Sequence, residues 1–166
     1  FDLCDHTHCQ VYRKRSMKNP EIQHAVKETE GLVLVDSEIN LISALFFSNC
    51  GGQTCNSEDV WNTEMSYLRS VKEPFCKSMP HYYWKKEVSK EKWVRYMKNR
   101  TPDYFKLNSS FDEKFEVDFD QGKRRVYYSN PGFSVPLTEI RRDFKLRSTL
   151  FSATDNGDKI VFRGRG

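Results

Sequence analysis

The chain has 166 residues, 37% hydrophobic, 30% charged and 14% aromatic, the size of one ordinary domain or of a domain carrying a small insert. Its 12 Phe and 8 Tyr exclude a disordered chain, which lacks large rings to bury, and its longest apolar run, Leu41 to Phe47, is far too short to span a bilayer. The 27 Lys and Arg against 23 Asp and Glu give a formal charge of +4, dispersed in short clusters such as Arg13-Lys14-Arg15, Lys123-Arg124-Arg125 and Arg141-Arg142; without a basic stripe the chain is not read as a nucleic-acid binder.

Phe1-Asp2-Leu3-Cys4 reads as the middle of a folded unit, with no initiator Met and no signal peptide, so the expectation is a piece of a longer domain. Asn19-Pro20-Glu21 opens the first predicted helix, with Asn as N-cap, Pro at the first helical position and an acid at the positive dipole end. Ile22, Val26 and Thr29 share one face, and Gly31 supplies the stop. Leu32 to Val35 and Leu41 to Phe47 predict a hairpin around Asp36-Ser37-Glu38, running into a Ser48 to Thr54 loop that Gly51-Gly52 keeps open to close approach. Tyr82 to Val88 predicts a strand, and Ser89 caps a helix carrying Trp93, Val94 and Met97. The period-two pattern of Phe115 to Phe119 and Arg125 to Tyr128 predicts a second hairpin around Gln121-Gly122. Thr138 is expected to cap a short helix with Ile140 and Phe144. Thr149 to Ala153 and Lys159 to Phe162 flank Asp155-Asn156-Gly157, the strongest hairpin signal in the chain. The fold class is α+β, with boundaries expected near Pro80 and Arg147.

Cys4-Asp5-His6-Thr7-His8-Cys9 packs two thiols and two imidazoles into six residues. These donors suit tetrahedral zinc, with at least one ligand from elsewhere, because four in so short a loop do not easily face one ion. A Cys4–Cys9 disulfide and unrelated free residues are the other readings. His24, off the helix's apolar stripe, and His81, after Pro80, read as surface residues. Cys50, Cys55 and Cys76 form a second group: two of them pair in an oxidising compartment, or all three are buried reduced thiols. A Cys50–Cys76 bridge would contribute about 3 kcal/mol or more in the chain-entropy view. The chain has no Walker loop, nucleophile elbow, His-Glu-x-x-His or dinucleotide-binding glycine pattern. No carboxylate, Glu58 and Asp59 included, has the apolar flanks that would raise its pKa for general-acid work.

The block Asp2-Leu3-Cys4-Asp5-His6-Thr7-His8-Cys9-Gln10-Val11-Tyr12 resembles the Asp-Ile-Cys-Asp-x-Thr-His-Cys-Gln-Val-Tyr block of the SpoIID family of peptidoglycan-cleaving sporulation proteins and amidase enhancers. The likeness continues at Ala25 to Leu34, Phe46 to Thr54, Glu58-Asp59-Val60-Trp61, Tyr67 to Val71, Leu146 to Ser152 and Phe162 to Gly166. The resemblance implies an extracytoplasmic lytic transglycosylase domain that cuts glycan strands stripped of stem peptides and leaves an anhydro sugar. A Glu acting as general acid and then base is expected upstream of residue 1, and a family Gly-His-Gly-Val-Gly block would follow Gly166. It implies zinc on Cys4, His8 and Cys9, and a glycan cleft lined by Gln10, by Ser48, Gly51, Gly52 and Thr54, and by Tyr67, for which a core aromatic is an equal reading. It divides the chain into a core part at 1–80, an inserted α+β lobe at 81–147 and a return to the core at 148–166. A non-catalytic amidase enhancer or wall-binding module, with a cell-wall amidase as partner, is the alternative.

Overall fold

A computed structural model describes residues 19–107 and 117–166. The fold is α+β. The chain divides into two compact units at Ala44/Leu45, where the sequence placed its boundaries near Pro80 and Arg147.

In the first unit, helix α1 spans Pro20–Glu28, and the Asn19 side chain accepts from the amides of Glu21 and Ile22, as its capping role requires. Ile22 and Val26 are exposed. The expected hairpin after Gly31 is reduced to one antiparallel bridge, Val35 to Leu41, and residues 42–47 are not strand. The Asp36 carboxylate explains the short ladder. It accepts from the amides of Glu38 and Asn40 at 2.9 and 3.0 Å and folds the chain into a side-chain-closed turn in which Ile39 takes φ +65°.

The second unit holds the core. Strand β1 (Tyr83–Ser89) runs into helix α3 (Lys90–Arg100), whose cap is Ser89, accepting from the Lys92 amide. Helix α2 (Glu58–Trp61) precedes them and helix α4 (Pro102–Leu107) follows. Strands β2 (Tyr127–Asn130) and β3 (Phe133–Pro136) form a hairpin that leads into helix α5 (Leu137–Phe144). Strands β4 (Phe151–Asn156) and β5 (Lys159–Arg165) close the chain.

The main sheet is antiparallel in the order β1-β5-β4. β5 is its centre, so Ile160, Val161, Phe162 and Gly164 are all buried. A Cβ on Gly164 would overlap the Trp84 indole and meet the Leu150 carbonyl at 2.7 Å, so the bare backbone is what lets Trp84 lie on the sheet. Trp93 and Met97 of α3 bury against the sheet, with Leu137, Ile140 and Phe144 of α5 in the same cluster. β1, expected in an inserted lobe, pairs along its whole length with β5, expected in the return segment.

Two further local expectations are corrected. The hairpin predicted from 115 to 128 is instead Tyr127 to Pro136, because Pro131-Gly132 supplies the tight turn with Gly132 at φ +116°. Phe119 bridges Ala153 of β4. Thr138 is not the cap of α5: Pro136 holds that position, and the Leu137 amide bonds to the Val126 carbonyl. The last hairpin forms as expected, one residue along, with Gly157 at φ +73° and Asp158 between the strands.

Candidate functional site

All the described sequence-predicted cleft residues belong to residues 45–76 of the second unit, and the structure separates all but Ser48 onto two neighbouring grooves. Cys4, His8, Cys9 and Gln10 lie outside the described residues.

The Gly-Gly loop turns on Gly51 at φ +70° and Gly52 at φ +95°, a backbone that side chains other than glycine rarely adopt. Space forbids a side chain as well. A Cβ on Gly51 would stand 2.8 Å from the Arg165 carbonyl oxygen, and one on Gly52 would stand 2.9 Å from the Tyr82 hydroxyl. The loop is laced to the segment 71–73: Thr54 N–H donates to Val71 O at 3.0 Å, and Glu73 N–H to Gly52 O at 3.0 Å. Arg124 pins it from the other side. Its Nη2 donates to Cys50 O at 2.6 Å and Gln53 O at 2.8 Å, and its Nε to Gln53 O at 3.1 Å. Burial pulls the Arg124 pKa down, but a guanidinium stays charged throughout the accessible range.

The first groove, about 500 Å³, runs over this loop. Its walls carry four cationic residues, Lys72, Lys77, Arg124 and Arg165, against one carboxylate, Glu73. The second, about 430 Å³, is mainly apolar and is lined by Phe46, Phe47, Trp61 and Tyr67 with Thr54 and Arg69. Trp61 and Phe47 are more than half exposed, and Tyr67 is 37% exposed. Arg124 belongs to both grooves. Of the expected residues, Gly51 and Gly52 line the first groove, Thr54 and Tyr67 the second, and exposed Ser48 neither. Thr54 is spent on structure, its hydroxyl accepting from Val71 N–H at 2.8 Å.

Glu58 sits on α2 with both oxygens engaged by Arg69, Oε1 at 2.9 Å from Nη1 and Oε2 at 2.5 Å from Nη2. That fork holds its carboxyl down at about 2. Glu73 is lowered by its hydrogen bond with Cys76 and by the amides of Phe75 and Cys76. Neither is a proton donor near neutrality, and among the described carboxylates every resolved shift is downward.

The Glu58 shift has a measurable consequence. A carboxyl at about 2 when folded and at its ordinary 4.5 when unfolded adds stability that is complete above pH 4.5 and is lost as pH falls through 2. Melting temperature followed across that window should drop more steeply for the wild type than for Glu58→Gln. Parallel curves would show that the Arg69 fork does not bias folding.

Cys50 and Cys76, the expected bridge partners, are brought together with Sγ atoms 3.5 Å apart, both thiols free. A hydrogen bond with the Cys50 backbone lowers the Cys76 thiol, but Glu73, burial and the Cys50 thiol outweigh it and push the thiol up to about 11. Cys55 is also free, raised chiefly by burial. His24 forms an exposed pair with Glu28 at 3.1 Å, and His81 is an exposed turn residue at φ +69°, so both are surface residues as expected. Sequence reasoning missed Lys72, Lys77, Glu73, Tyr82 and Arg165; for Arg124 it saw a basic cluster but not its target.

A family model described as SpoIID, stage II sporulation protein, matches residues 1–35. The chain is similar to stage II sporulation protein D of Bacillus subtilis (strain 168), at 28% identity over 161 residues that cover 90% of this chain and 41% of that protein. It is also similar to stage II sporulation protein D of Bacillus amyloliquefaciens, at 37% identity over 84 residues, 44% of this chain and 24% of that protein. The chain thus spans well under half the length of the curated relatives it matches.

Proposed function

From its likeness to stage II sporulation protein D we propose that the chain is a SpoIID-type protein with a cell-wall-related role, and that its second unit carries the glycan-binding wall of a peptidoglycan lytic transglycosylase. The substrate is the glycan strand denuded of stem peptides. The observation that carries this reading is the groove over Gly51-Gly52, where four cationic residues face one carboxylate. Removal of a stem peptide leaves a free lactyl carboxylate on the sugar, so a denuded strand is a polyanion and a strand with its peptides attached is not matched in the same way. The two glycines let the loop pack against the Arg165 carbonyl and the Tyr82 hydroxyl and so shape the groove's floor, and the rings of Trp61 and Tyr67 in the second groove offer flat apolar faces of the kind that sugar rings cover.

Glycosidic cleavage to an anhydro sugar needs a carboxyl that gives a proton to the leaving oxygen and then removes one, which requires a raised pKa. Glu58 and Glu73 are held low, so in this reading neither supplies the proton, and the acid comes from outside the described residues. Cys4, His8 and Cys9 are the proposed zinc ligands of the same domain, a thiolate and imidazole donor set that suits this metal. The site of action is extracytoplasmic, where the wall lies; among the described residues no helix is long and apolar enough to cross a membrane.

The depressed carboxylates equally favour a second reading, in which the module binds the wall and enhances a cell-wall amidase without cutting. Incubation with denuded strands separates the two. The chain alone is expected to bind without releasing anhydro-sugar products, and addition of the upstream segment is expected to produce them. Binding with no products in either case supports the enhancer. Turnover abolished by Glu58→Gln in a folded protein would overturn the assignment of the acid.

A further inference from the structure

We propose that Cys50, Glu73 and Cys76 form a binding site for one soft divalent cation of the zinc class, which ties the Gly-Gly loop to the 3-10 turn at Phe75–Ser78. The cation would be held by two thiolates and one carboxylate, with a fourth position left for water or another ligand. This site uses none of Cys4, His8 and Cys9, and it does not depend on the glycan reading.

Geometry is the first support. The three donor atoms all lie within 4.8 Å of one another. A tetrahedral zinc about 2.3 Å from each of two sulfurs separates them by about 3.8 Å, and separates a sulfur from a carboxylate oxygen at about 2.0 Å from the metal by about 3.5 Å. The Cys50 and Cys76 sulfurs are 3.5 Å apart, and Cys50 Sγ is 3.5 Å from Glu73 Oε2. A disulfide would need the sulfurs at about 2.05 Å, so the pair is spaced far more like two ligands of one ion than like a bond.

The second support is the outer layer of hydrogen bonds. Gly52 N–H donates to Cys50 Sγ at 3.3 Å, an arrangement made possible by the positive φ of Gly51 and suited to a sulfur that carries negative charge. Glu73 Oε2 accepts from Cys76 N–H at 3.0 Å and Oε1 from Phe75 N–H at 2.7 Å, which fixes the carboxylate before any ion arrives. Asn49 closes the frame, its Nδ2 donating to Cys76 O at 3.3 Å and its Oδ1 accepting from Gly51 N–H at 2.9 Å. Donors on residues 50, 73 and 76 therefore come from two segments that are already bonded to each other. Binding exchanges the two thiol protons for the metal, and Arg124, whose Nη2 holds the Cys50 carbonyl, offsets part of the remaining negative charge.

Site-resolved alkylation of the wild-type protein tests this without relying on a variant's folding. Protein prepared under reductant and stripped with EDTA is treated with iodoacetamide with and without added zinc, and each cysteine is read by peptide mass spectrometry. Zinc is expected to slow alkylation of Cys50 and Cys76 at least tenfold, reversibly with EDTA, while Cys55 reacts at the same rate in both. Glu73→Gln is expected to lose that protection while leaving any protection of Cys4 and Cys9 unchanged. Unchanged alkylation of Cys76 with zinc present would overturn the site. So would a Cys50–Cys76 crosslink recovered from the reduced, zinc-treated protein, and so would protection of Cys50 and Cys76 that survives Glu73→Gln unaltered.

Discussion

Trp93→Ala is expected to destabilise the second unit by about 3–5 kcal/mol, the range for removing a large aromatic from a packed core. Trp93 is 1% exposed, and its ring lies 5.5 Å from those of Phe144 and Phe162, 5.6 Å from Tyr128 and 6.0 Å from Tyr96. One side chain from α3 thus meets α5, the central strand β5 and the small hairpin's β2. Aromatic pairs at these separations add about 0.5–1.5 kcal/mol beyond the area they bury. Native domains carry only about 5–15 kcal/mol in total, so the variant should show a midpoint shift of several tenths of the wild-type value in urea. Trp93→Phe keeps a ring in place and should lose less than half as much. A loss below 1 kcal/mol for the Ala variant would mean that α3 is not the keystone of this core.

Arg124→Ala is expected to weaken glycan binding at least tenfold and to loosen the Gly-Gly loop, because it removes the three hydrogen bonds from the guanidinium to Cys50 O and Gln53 O. Hydrogen bonds to a charged group each contribute about 1.5–3 kcal/mol, and leaving buried carbonyls unpaired adds to the loss. Arg124→Lys should not rescue it. A single ammonium cannot reproduce the planar fork that reaches both carbonyls at once, although it restores the charge. Affinity from equilibrium binding of denuded strands, set beside the urea midpoint, reads both effects. If Lys restores both affinity and stability, charge alone is at work and the fork is incidental.

The elements were legible where one residue type decides the outcome locally. Asn19 and Ser89 accept from the amides they were expected to cap, and the Gly157 turn closes the final hairpin. The failures come where tertiary partners decide. Phe119 alternates like a hairpin residue but bonds to Ala153, thirty-odd positions on. Leu32 to Val35 look like a strand, yet the Asp36 carboxylate closes a turn that leaves a single bridge. At the candidate site, Gly51 and Gly52 announced a close approach, while Cys50 and Cys76, expected as a bridge, lie 3.5 Å apart as free thiols. The groove's charge could not be named from the sequence. The pair Lys72 and Lys77, Arg124, and Arg165 come from three separate stretches of the chain and converge only because β5, residues 71–78 and the segment before β2 meet at the glycine loop. Glu73 was silent for the same reason, being an ordinary acid until the fold sets it beside two thiols.

The central claim is that a cationic groove over Gly51-Gly52 recognises glycan strands by the carboxylates exposed when their peptides are removed. Equilibrium binding of the chain to denuded peptidoglycan strands, measured beside chitin oligosaccharides of equal length that have no lactyl carboxylate, tests it most directly. The denuded strand should bind at least tenfold more tightly, with an advantage that shrinks as salt is raised and in the Lys72→Ala/Lys77→Ala double variant. Equal affinity for the two polymers, unchanged by salt or by loss of the lysines, would contradict it.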